Sequence, residues 1–179
     1  AHQRGGKRKV TSVTKSNAQG YGMVVWDQAF ESVASKYPDI LTESLLVDAA
    51  CMDFIRRPED FDVVVASNLF GDILTDIGAI ITGSIGLAPS GNIDPEHRYP
   101  SMFEPVHGSA PELAGKGVSN PLATILAGAM MLDHLGERTA RHQVQEAVSM
   151  VLAQETTTPD LGGTYTTSQV ADAVVAALR

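Results

Sequence analysis

Three aspartates stand in positions where they could bind a metal ion. Asp72 and Asp76 are four residues apart in the segment NLFGDILTD, so both carboxylates project from one face if this segment is helical. Asp48 follows a short apolar segment, at the predicted start of another helix. Hard cations such as Mg²⁺ and Mn²⁺ prefer oxygen ligands of this kind. The apolar surroundings of Asp72 and Asp76 favour a compensating cation, although acids at this spacing are also common on ordinary solvated helices.

A lysine, Lys15, follows a predicted strand in the sequence TKSN. A lysine at the end of a strand can act as a general base when burial or a nearby cation lowers its pKa. A surface lysine without a chemical role is the alternative interpretation.

The loop EPVHGSAPELAGKG offers groups that could bind a nucleotide. His107, Gly108 and Ser109 could hold an adenine or a phosphate, and Glu112 could accept hydrogen bonds from ribose hydroxyls. A structural turn is the alternative. The sequence contains no GxGxxG, Walker A, HExxH, CxxC or GxSxG motif. Cys51 falls in a helical pattern, which predicts a core residue and not a nucleophile.

The composition is that of an ordinary folded protein, with 44% hydrophobic and 19% charged residues among 179. The net charge of −8 argues against a general nucleic-acid binder. We expect no membrane partner, because no apolar run reaches the roughly 18 residues of a transmembrane helix, and no leader is recognisable. A single cysteine excludes an internal disulfide and fits a cytoplasmic protein.

The first residues resemble the tail of a helix followed by a turn at Gly5 and Gly6, so we expect that an upstream piece is missing; a processed terminus or an expression scar is the alternative. The basic residues that follow are predicted to form a solvated turn and not a nucleic-acid patch. They are Arg4, Lys7, Arg8 and Lys9.

Strands and helices alternate along the chain, which indicates an α/β architecture. Apolar residues three and four apart predict a helix from Met23 to Tyr37. Strands are predicted at 10–14, 45–47 and 61–66, the last one buried. Further helices are predicted from Asp48, as N-cap, to before Pro58, from about Gly71, and at about 121–135, 140–154 and 168–178. The segment 82–121 is predicted to be irregular and functional.

Five motifs, in this order, closely resemble the β-decarboxylating dehydrogenases of the isopropylmalate/isocitrate dehydrogenase family. They are TKSN, VDA, NLFGDILTD, GSIGLAPSGNI and EPVHGSAPELAGKGVSNP. The resemblance covers nearly the whole chain, includes TPDLGG at 158–163, and is closest to the tartrate/D-malate branch. It implies an isocitrate/isopropylmalate dehydrogenase-like fold, of which this chain is a C-terminal portion. Residues 1–82 would belong to a dimer-forming lobe with metal and catalytic residues, and 83–179 to the returning part of the cofactor-binding lobe.

The resemblance also implies an activity, which is NAD-dependent oxidative decarboxylation of a 2-hydroxy dicarboxylic acid of the tartrate/D-malate or 3-isopropylmalate type. Lys15 and Asp48 match catalytic residues that act across a homodimer. Asp48, Asp72 and Asp76 match the ligands of Mg²⁺ or Mn²⁺. The residues that match the cofactor loop and its surroundings are His107, Gly108, Ser109, Ala110, Asn120 and Asp160. Glu112 stands where NAD-using members carry an acid and NADP-using members a lysine.

The chain departs from the family in length, since the family's subunit is about twice as long. The glycine-rich first turn, the arginines that clamp the substrate and an assisting tyrosine are missing from this sequence. We therefore expect little or no turnover from these residues alone. The alternative function is a catalytically incomplete fragment that acts as a dimerisation or ligand-binding module. A third interpretation, an unrelated metal-binding α/β domain, requires all five motif matches to be coincidental.

Overall fold

The structure, a computed structural model, describes residues 1 and 8–178. The chain forms two compact units, residues 1–78 and 79–179, called here the N-terminal and C-terminal units. The division falls within helix α3 (Asn68–Ile81). The roles assigned above to 1–82 and 83–179 stay predictions. The turn at Gly5 and Gly6 and the basic residues Arg4 and Lys7 lie outside the described residues.

The described part of the N-terminal unit contains a three-stranded parallel sheet with the strand order β2-β1-β3. The strands are β1 (Lys9–Thr14), β2 (Leu41–Leu46) and β3 (Val63–Val65). The register aligns Thr14, the last residue of β1, with Leu46, the last residue of β2. The residues that follow these two strands therefore emerge at the same edge of the sheet.

Helices connect the parallel strands, as parallel pairing requires. They are α1 (Gly22–Ala34), between β1 and β2, and α2 (Val47–Arg56), between β2 and β3, with α3 following β3. The core of this unit joins the central strand to all three helices through Val13, Met23, Ala50, Phe70 and Leu74. Cys51 is half-buried and packs against this core, which confirms its prediction as a core residue.

Several details of this unit differ from the sequence-based expectation. Strand β2 begins at Leu41, not at residue 45, and α1 ends at Ala34, before Tyr37. Helix α2 begins two residues earlier than predicted, so its N-cap is Leu46 and Asp48 lies within the first turn. The prediction of Asp48 as the N-cap is therefore wrong, because the extended backbone of Leu46 passes directly from strand into helix. Strand β3 is only three residues long and half-buried, whereas a buried strand over 61–66 was predicted.

The C-terminal unit is dominated by the three helices predicted near the end of the chain, which the structure confirms. They are α4 (Leu122–His134), α5 (Arg138–Ala153) and α6 (Thr167–Ala177). Their core includes the fully buried side chains of Leu122, Val151 and Val170. The start of α6 is fixed by a capping box, in which Thr166 and Gln169 satisfy each other's backbone N–H groups.

The segment 82–121 is more regular than predicted. It contains an antiparallel pair of strands, β4 (Pro89–Asn92) and β5 (Met102–Pro105). Both strands are rich in residues with low strand propensity, which is why the sequence predicted an irregular loop. The remainder of the segment does form turns, and these turns line the cavity described below.

Candidate functional site

Lys15 and Asp48 form an ion pair in the N-terminal unit. Lys15 directly follows β1, and Asp48 lies in the first turn of α2, directly after β2. The parallel register therefore brings the two side chains together from positions 33 residues apart. The carboxyl ends of parallel strands are the usual location of ligand sites in open α/β sheets.

The ion pair changes the acid–base properties of Asp48. The hydrogen bond from the Lys15 ammonium, more than any other contact, lowers the pKa of Asp48 below its ordinary value of 3.8. The side chain of Lys15 is 27% exposed and that of Asp48 is 60% exposed, so a substrate could reach both groups. Lys15 thus has a specific partner, while its chemical role stays a prediction.

Asp72 and Asp76 lie one turn apart on α3, and both are exposed. The apolar residues of this helix therefore do not enclose the two carboxylates, and their burial gives no argument for a compensating cation. Within residues 1 and 8–178, no three His, Cys, Asp or Glu side chains are grouped to hold a metal ion. Asp48 thus does not join Asp72 and Asp76 within one copy of the chain, and all three metal assignments stay predictions.

A cavity of about 260 Å³ lies within the C-terminal unit. This volume is slightly below the range of about 300–1,000 Å³ for ligand pockets, and suits part of a dinucleotide better than the whole. The loop after β5 contributes His107, Gly108, Ser109 and Ala110 to its lining. The other walls come from the turn around Gly86, the residues before α4, and the turn that contains Asp160; the lining there includes Ser84, Ile85, Gly86, Ser119, Asn120 and Asp160.

The backbone of the loop after β5 fixes the orientation of two lining residues. The Nδ1 atom of His107 lies 3.0 Å from the carbonyl oxygen of Gly108. Because a carbonyl oxygen only accepts, this contact is a hydrogen bond in the form of the ring that carries a proton on Nδ1. Ala110 has a φ of 38°, a left-handed conformation that alanine rarely adopts. Such strained residues are concentrated at functional sites.

Asp160 is the centre of a hydrogen-bond network at the cavity wall. Its Oδ2 atom accepts hydrogen bonds from the Ser84 hydroxyl at 2.5 Å and from Asn120 Nδ2 at 2.9 Å. Its Oδ1 atom accepts from the Thr158 hydroxyl at 2.5 Å. Partial burial raises the pKa of Asp160, but the hydrogen bonds from Ser84, Thr158 and Asn120 outweigh burial, so the pKa is lowered from 3.8.

Gly86 makes this network possible. A Cβ atom at this position would lie 2.7 Å from Asn120 Cβ and 2.9 Å from Asp160 Oδ2. Any larger residue would therefore separate Asn120 from Asp160 or shift the turn. The amide of Asn120 also accepts from the backbone N–H of Leu122 at 2.9 Å, which connects the cavity wall to the first turn of α4.

The structure thus brings six predicted cofactor residues together around one cavity, whereas Glu112 is exposed and is not among the residues that line it. Sequence reasoning did not identify Ser84, Gly86 or Thr158 as parts of the site. The hydroxyl of Thr158, two residues before Asp160, was visible in TPDLGG, but the contact with Ser84 spans 76 positions and has no local signal.

Comparison with known families identifies the class of protein. The chain matches the family described as isocitrate/isopropylmalate dehydrogenase over residues 1–174. The chain belongs to this family, as the motifs in its sequence predict.

The relatives of this chain include decarboxylating dehydrogenases of the tartrate/D-malate type. It is 51% identical to the decarboxylating D-malate dehydrogenase of Escherichia coli K12 over 173 residues, which are 94% of this chain and 48% of that protein. It is 49% identical to a probable tartrate dehydrogenase/decarboxylase of Agrobacterium vitis over 172 residues, 96% of this chain and 48% of the relative. The chain spans about half the length of these relatives.

Solved structures agree on the fold. The isocitrate dehydrogenase of Methylococcus capsulatus superimposes with a TM-score of 0.90 at 41% identity, over 96% of this chain and 50% of that one. A β-decarboxylating dehydrogenase of Thermococcus kodakarensis gives a TM-score of 0.82 at 36% identity, over 94% of this chain and 49% of that one. The predicted α/β fold of this family is confirmed. None of the helices in the described part of the chain is long and apolar enough to cross a membrane.

Proposed function

We propose that this protein catalyses the NAD-dependent oxidative decarboxylation of a 2-hydroxy dicarboxylic acid, D-malate or tartrate, with Mg²⁺ or Mn²⁺. The proposal is based mainly on the Lys15–Asp48 ion pair at the carboxyl edge of the parallel sheet. A lysine and a carboxylate paired at this edge can remove the proton of a hydroxyl group once the ammonium has passed its own proton to the carboxylate.

The choice of substrate rests on the relatives. Two of them, in Escherichia coli and Agrobacterium vitis, carry the names of a D-malate and a probable tartrate dehydrogenase and are 51% and 49% identical to this chain. We therefore rank these two acids above 3-isopropylmalate and isocitrate as substrates of this protein.

The carboxylates of Asp72 and Asp76 suit a hard divalent cation by their chemistry, and their exposure leaves them open to a ligand from a second copy. We propose that Asp48 of that second copy completes the set. When bound, such a cation polarises the hydroxyl and adjacent carboxylate of the substrate and offsets negative charge as CO₂ leaves.

The residues of this chain then have distinct tasks. Lys15 takes or relays the proton of the C2 hydroxyl, and NAD, when bound, would supply the acceptor for the hydride from C2. Asp48 holds the Lys15 side chain in position through their ion pair. Cleavage of the bond to the β-carboxylate then releases CO₂ and leaves a 2-keto acid after protonation.

We propose that the cavity in the C-terminal unit holds the adenosine portion of NAD. Among the described residues, those that line it include no lysine or arginine to neutralise the 2′-phosphate of NADP. The carboxylate of Asp160 would repel that phosphate, and Glu112, two residues after Ala110, adds a second acid in the loop. These charges favour NAD.

A homodimer is part of the proposal. The outer faces of α2 and α3 expose large apolar side chains, which are Met52, Ile55, Leu69 and Ile73. The inner faces of both helices pack in the core of the N-terminal unit, so these outer side chains are available to a partner. A second copy would cover them and bring Lys15 and Asp48 to the aspartates of the partner's α3. We place the protein in the cytoplasm, as one cysteine among 179 residues suggests.

The proposal is tested by measuring NADH formation by the complete protein with D-malate, tartrate and 3-isopropylmalate in turn, each with and without Mn²⁺. We expect Mn²⁺-dependent NADH formation with D-malate or tartrate. The Lys15→Met variant should lose it, whereas Lys36→Met, which changes an exposed lysine, should retain it. Absence of NADH with every acid, or full activity of Lys15→Met, would contradict the proposal.

A further inference from the structure

The chain's own donors occupy three of the roughly four acceptor positions of the Asp160 carboxylate. Its Oδ2 atom accepts from both Ser84 and Asn120, and its Oδ1 atom accepts from Thr158. A carboxylate oxygen has about two lone-pair sites, so the two hydrogen bonds at Oδ2 use its acceptor capacity. A nucleotide in the cavity would have to displace Ser84 or Asn120 to reach this oxygen.

We propose that Asp160 is a positioning residue, which is held by Ser84 and Thr158, orients Asn120 for the nucleotide through its carboxylate, and does not itself bind the nucleotide. This inference rests on the proposed NAD-binding function of the cavity. It gives a role to Ser84 and Thr158, and it changes the role that the family resemblance implies for Asp160.

The hydrogen bonds of Asn120 and Ser84 fix the direction of their donors. One amide hydrogen of Asn120 points to Asp160, and its Oδ1 accepts from Leu122, so the amide has a single orientation. The other amide hydrogen is available to a ligand in the cavity that Asn120 lines. The hydroxyl of Ser84 donates to Asp160 and accepts from the backbone N–H of Gly86, so its hydrogen is also committed.

The burial of the two hydroxyl groups supports a fixed scaffold. Ser84 is 6% exposed and Thr158 is fully buried, and a buried hydroxyl without a partner costs about 1–3 kcal/mol. Asp160 satisfies both hydroxyls at once from the short turn Pro159–Leu161. The ring nitrogens of an adenine base accept hydrogen bonds, so a neutral base is suited to the free amide hydrogen of Asn120.

A double-mutant cycle on Asn120 and Asp160 tests the inference, with ADP-ribose binding to the complete protein measured by titration calorimetry. We expect Asp160→Asn to weaken binding by about tenfold or more, because charge-assisted hydrogen bonds are lost. If Asp160 acts through Asn120, the double variant Asp160→Asn with Asn120→Ala binds no more weakly than Asn120→Ala alone. Additive losses would mean that Asp160 contacts the nucleotide directly, and would overturn the inference.

Two further readouts and a control distinguish a positioning role of Asp160 from a contribution to the stability of the fold alone. Asp160→Asn should raise the KM for NAD and leave kcat nearly unchanged. If the substitution only removed folded protein, it would lower kcat per mole of protein and leave KM unchanged. That result would contradict the inference. Ser84→Ala should weaken ADP-ribose binding by a smaller factor than Asp160→Asn. An equal or larger factor would count against Asp160 as the centre of the hydrogen-bond network. The matched control is Asp172→Asn, which changes an exposed acid on α6.

Failure of the unsubstituted protein to bind ADP-ribose would instead overturn the proposed nucleotide site.

Discussion

Lys15 and Asp48 pair because they lie one and two residues after the ends of two adjacent parallel strands that end in register. Thr14 at the end of β1 aligns with Leu46 at the end of β2, so a strand-end lysine meets an acid in the first turn of the next helix. The pair joins two motifs that are separate in the sequence, TKSN and VDA, into one chemical unit. Its properties lead to the first prediction.

We predict that Asp48 titrates below its ordinary value of 3.8, and that Lys15→Met returns the pKa towards that value. Because the folded-state pKa of Asp48 is lowered, the pair stabilises the protein above the unfolded pKa, and this contribution is lost as the pH falls through the folded pKa. Carboxyl-detected NMR of labelled aspartates measures the change, with Lys36→Met as the control. An unaltered Asp48 titration in Lys15→Met would exclude the pair in solution.

A second prediction concerns Gly86, whose missing side chain leaves room for Asn120 and Asp160. Gly86→Ala should destabilise the fold by about 1–3 kcal/mol, the usual cost of overpacking, and should weaken ADP-ribose binding. Gly128→Ala on α4 is the matched control, because a Cβ there meets nothing within 4 Å and alanine favours helix by up to about 1 kcal/mol. Thermal unfolding measures both. Equal melting temperatures for the two variants would contradict this account of Gly86.

A third prediction concerns the metal ligands on α3. Asp72→Asn and Asp76→Asn should each weaken Mn²⁺ binding by roughly tenfold or more, since even residues that only support a metal ligand contribute about 10–100-fold. Calorimetric titration of the complete protein with Mn²⁺ measures the affinity, and removal of the ion with EDTA should abolish NADH formation. Glu31→Gln, an exposed acid on α1, is the control. Unchanged Mn²⁺ affinity in both aspartate variants would remove them from the metal site.

A fourth prediction concerns the apolar outer face of α3. Ile73 is 46% exposed, and a charge at this position should prevent a second copy from covering it. We expect the unsubstituted protein to sediment as a dimer and Ile73→Asp as a monomer. Ile93→Asp, at an equally exposed isoleucine in the C-terminal unit, should leave the dimer intact. A dimer that survives Ile73→Asp would require a different interface.

The sequence predicts elements well where a single periodicity dominates. The helix of Met23 and Trp26 and the three final helices follow from apolar residues three and four apart. The strands β4 and β5 do not follow from such a pattern, because the proline, glycine and asparagine of β4 are typical of loops. The N-cap of α2 was assigned to Asp48 by residue type, whereas an extended Leu46 occupies this position.

The candidate site could be predicted only in part. The types and spacing of Asp72 and Asp76, and the HGSA loop, are visible in the sequence because they are local. The contacts from Lys15 to Asp48 and from Ser84 to Asp160 depend on strand register and on the packing of distant turns. Such contacts have no periodic signal, and for this reason Ser84 was not predicted.

The account's central claim is that each active site combines Lys15 and Asp48 of one subunit with Asp72 and Asp76 of another. Mixing two inactive variants of the complete protein, Lys15→Met and Asp72→Asn, with unfolding and refolding to exchange subunits, tests it most directly. Heterodimers would make up about half of the dimers and have one intact site of two, so we predict recovery of about a quarter of the unsubstituted NADH-forming activity. Activity that stays at the level of the two separate variants would mean that Lys15 and Asp72 act within one subunit, and would contradict the claim.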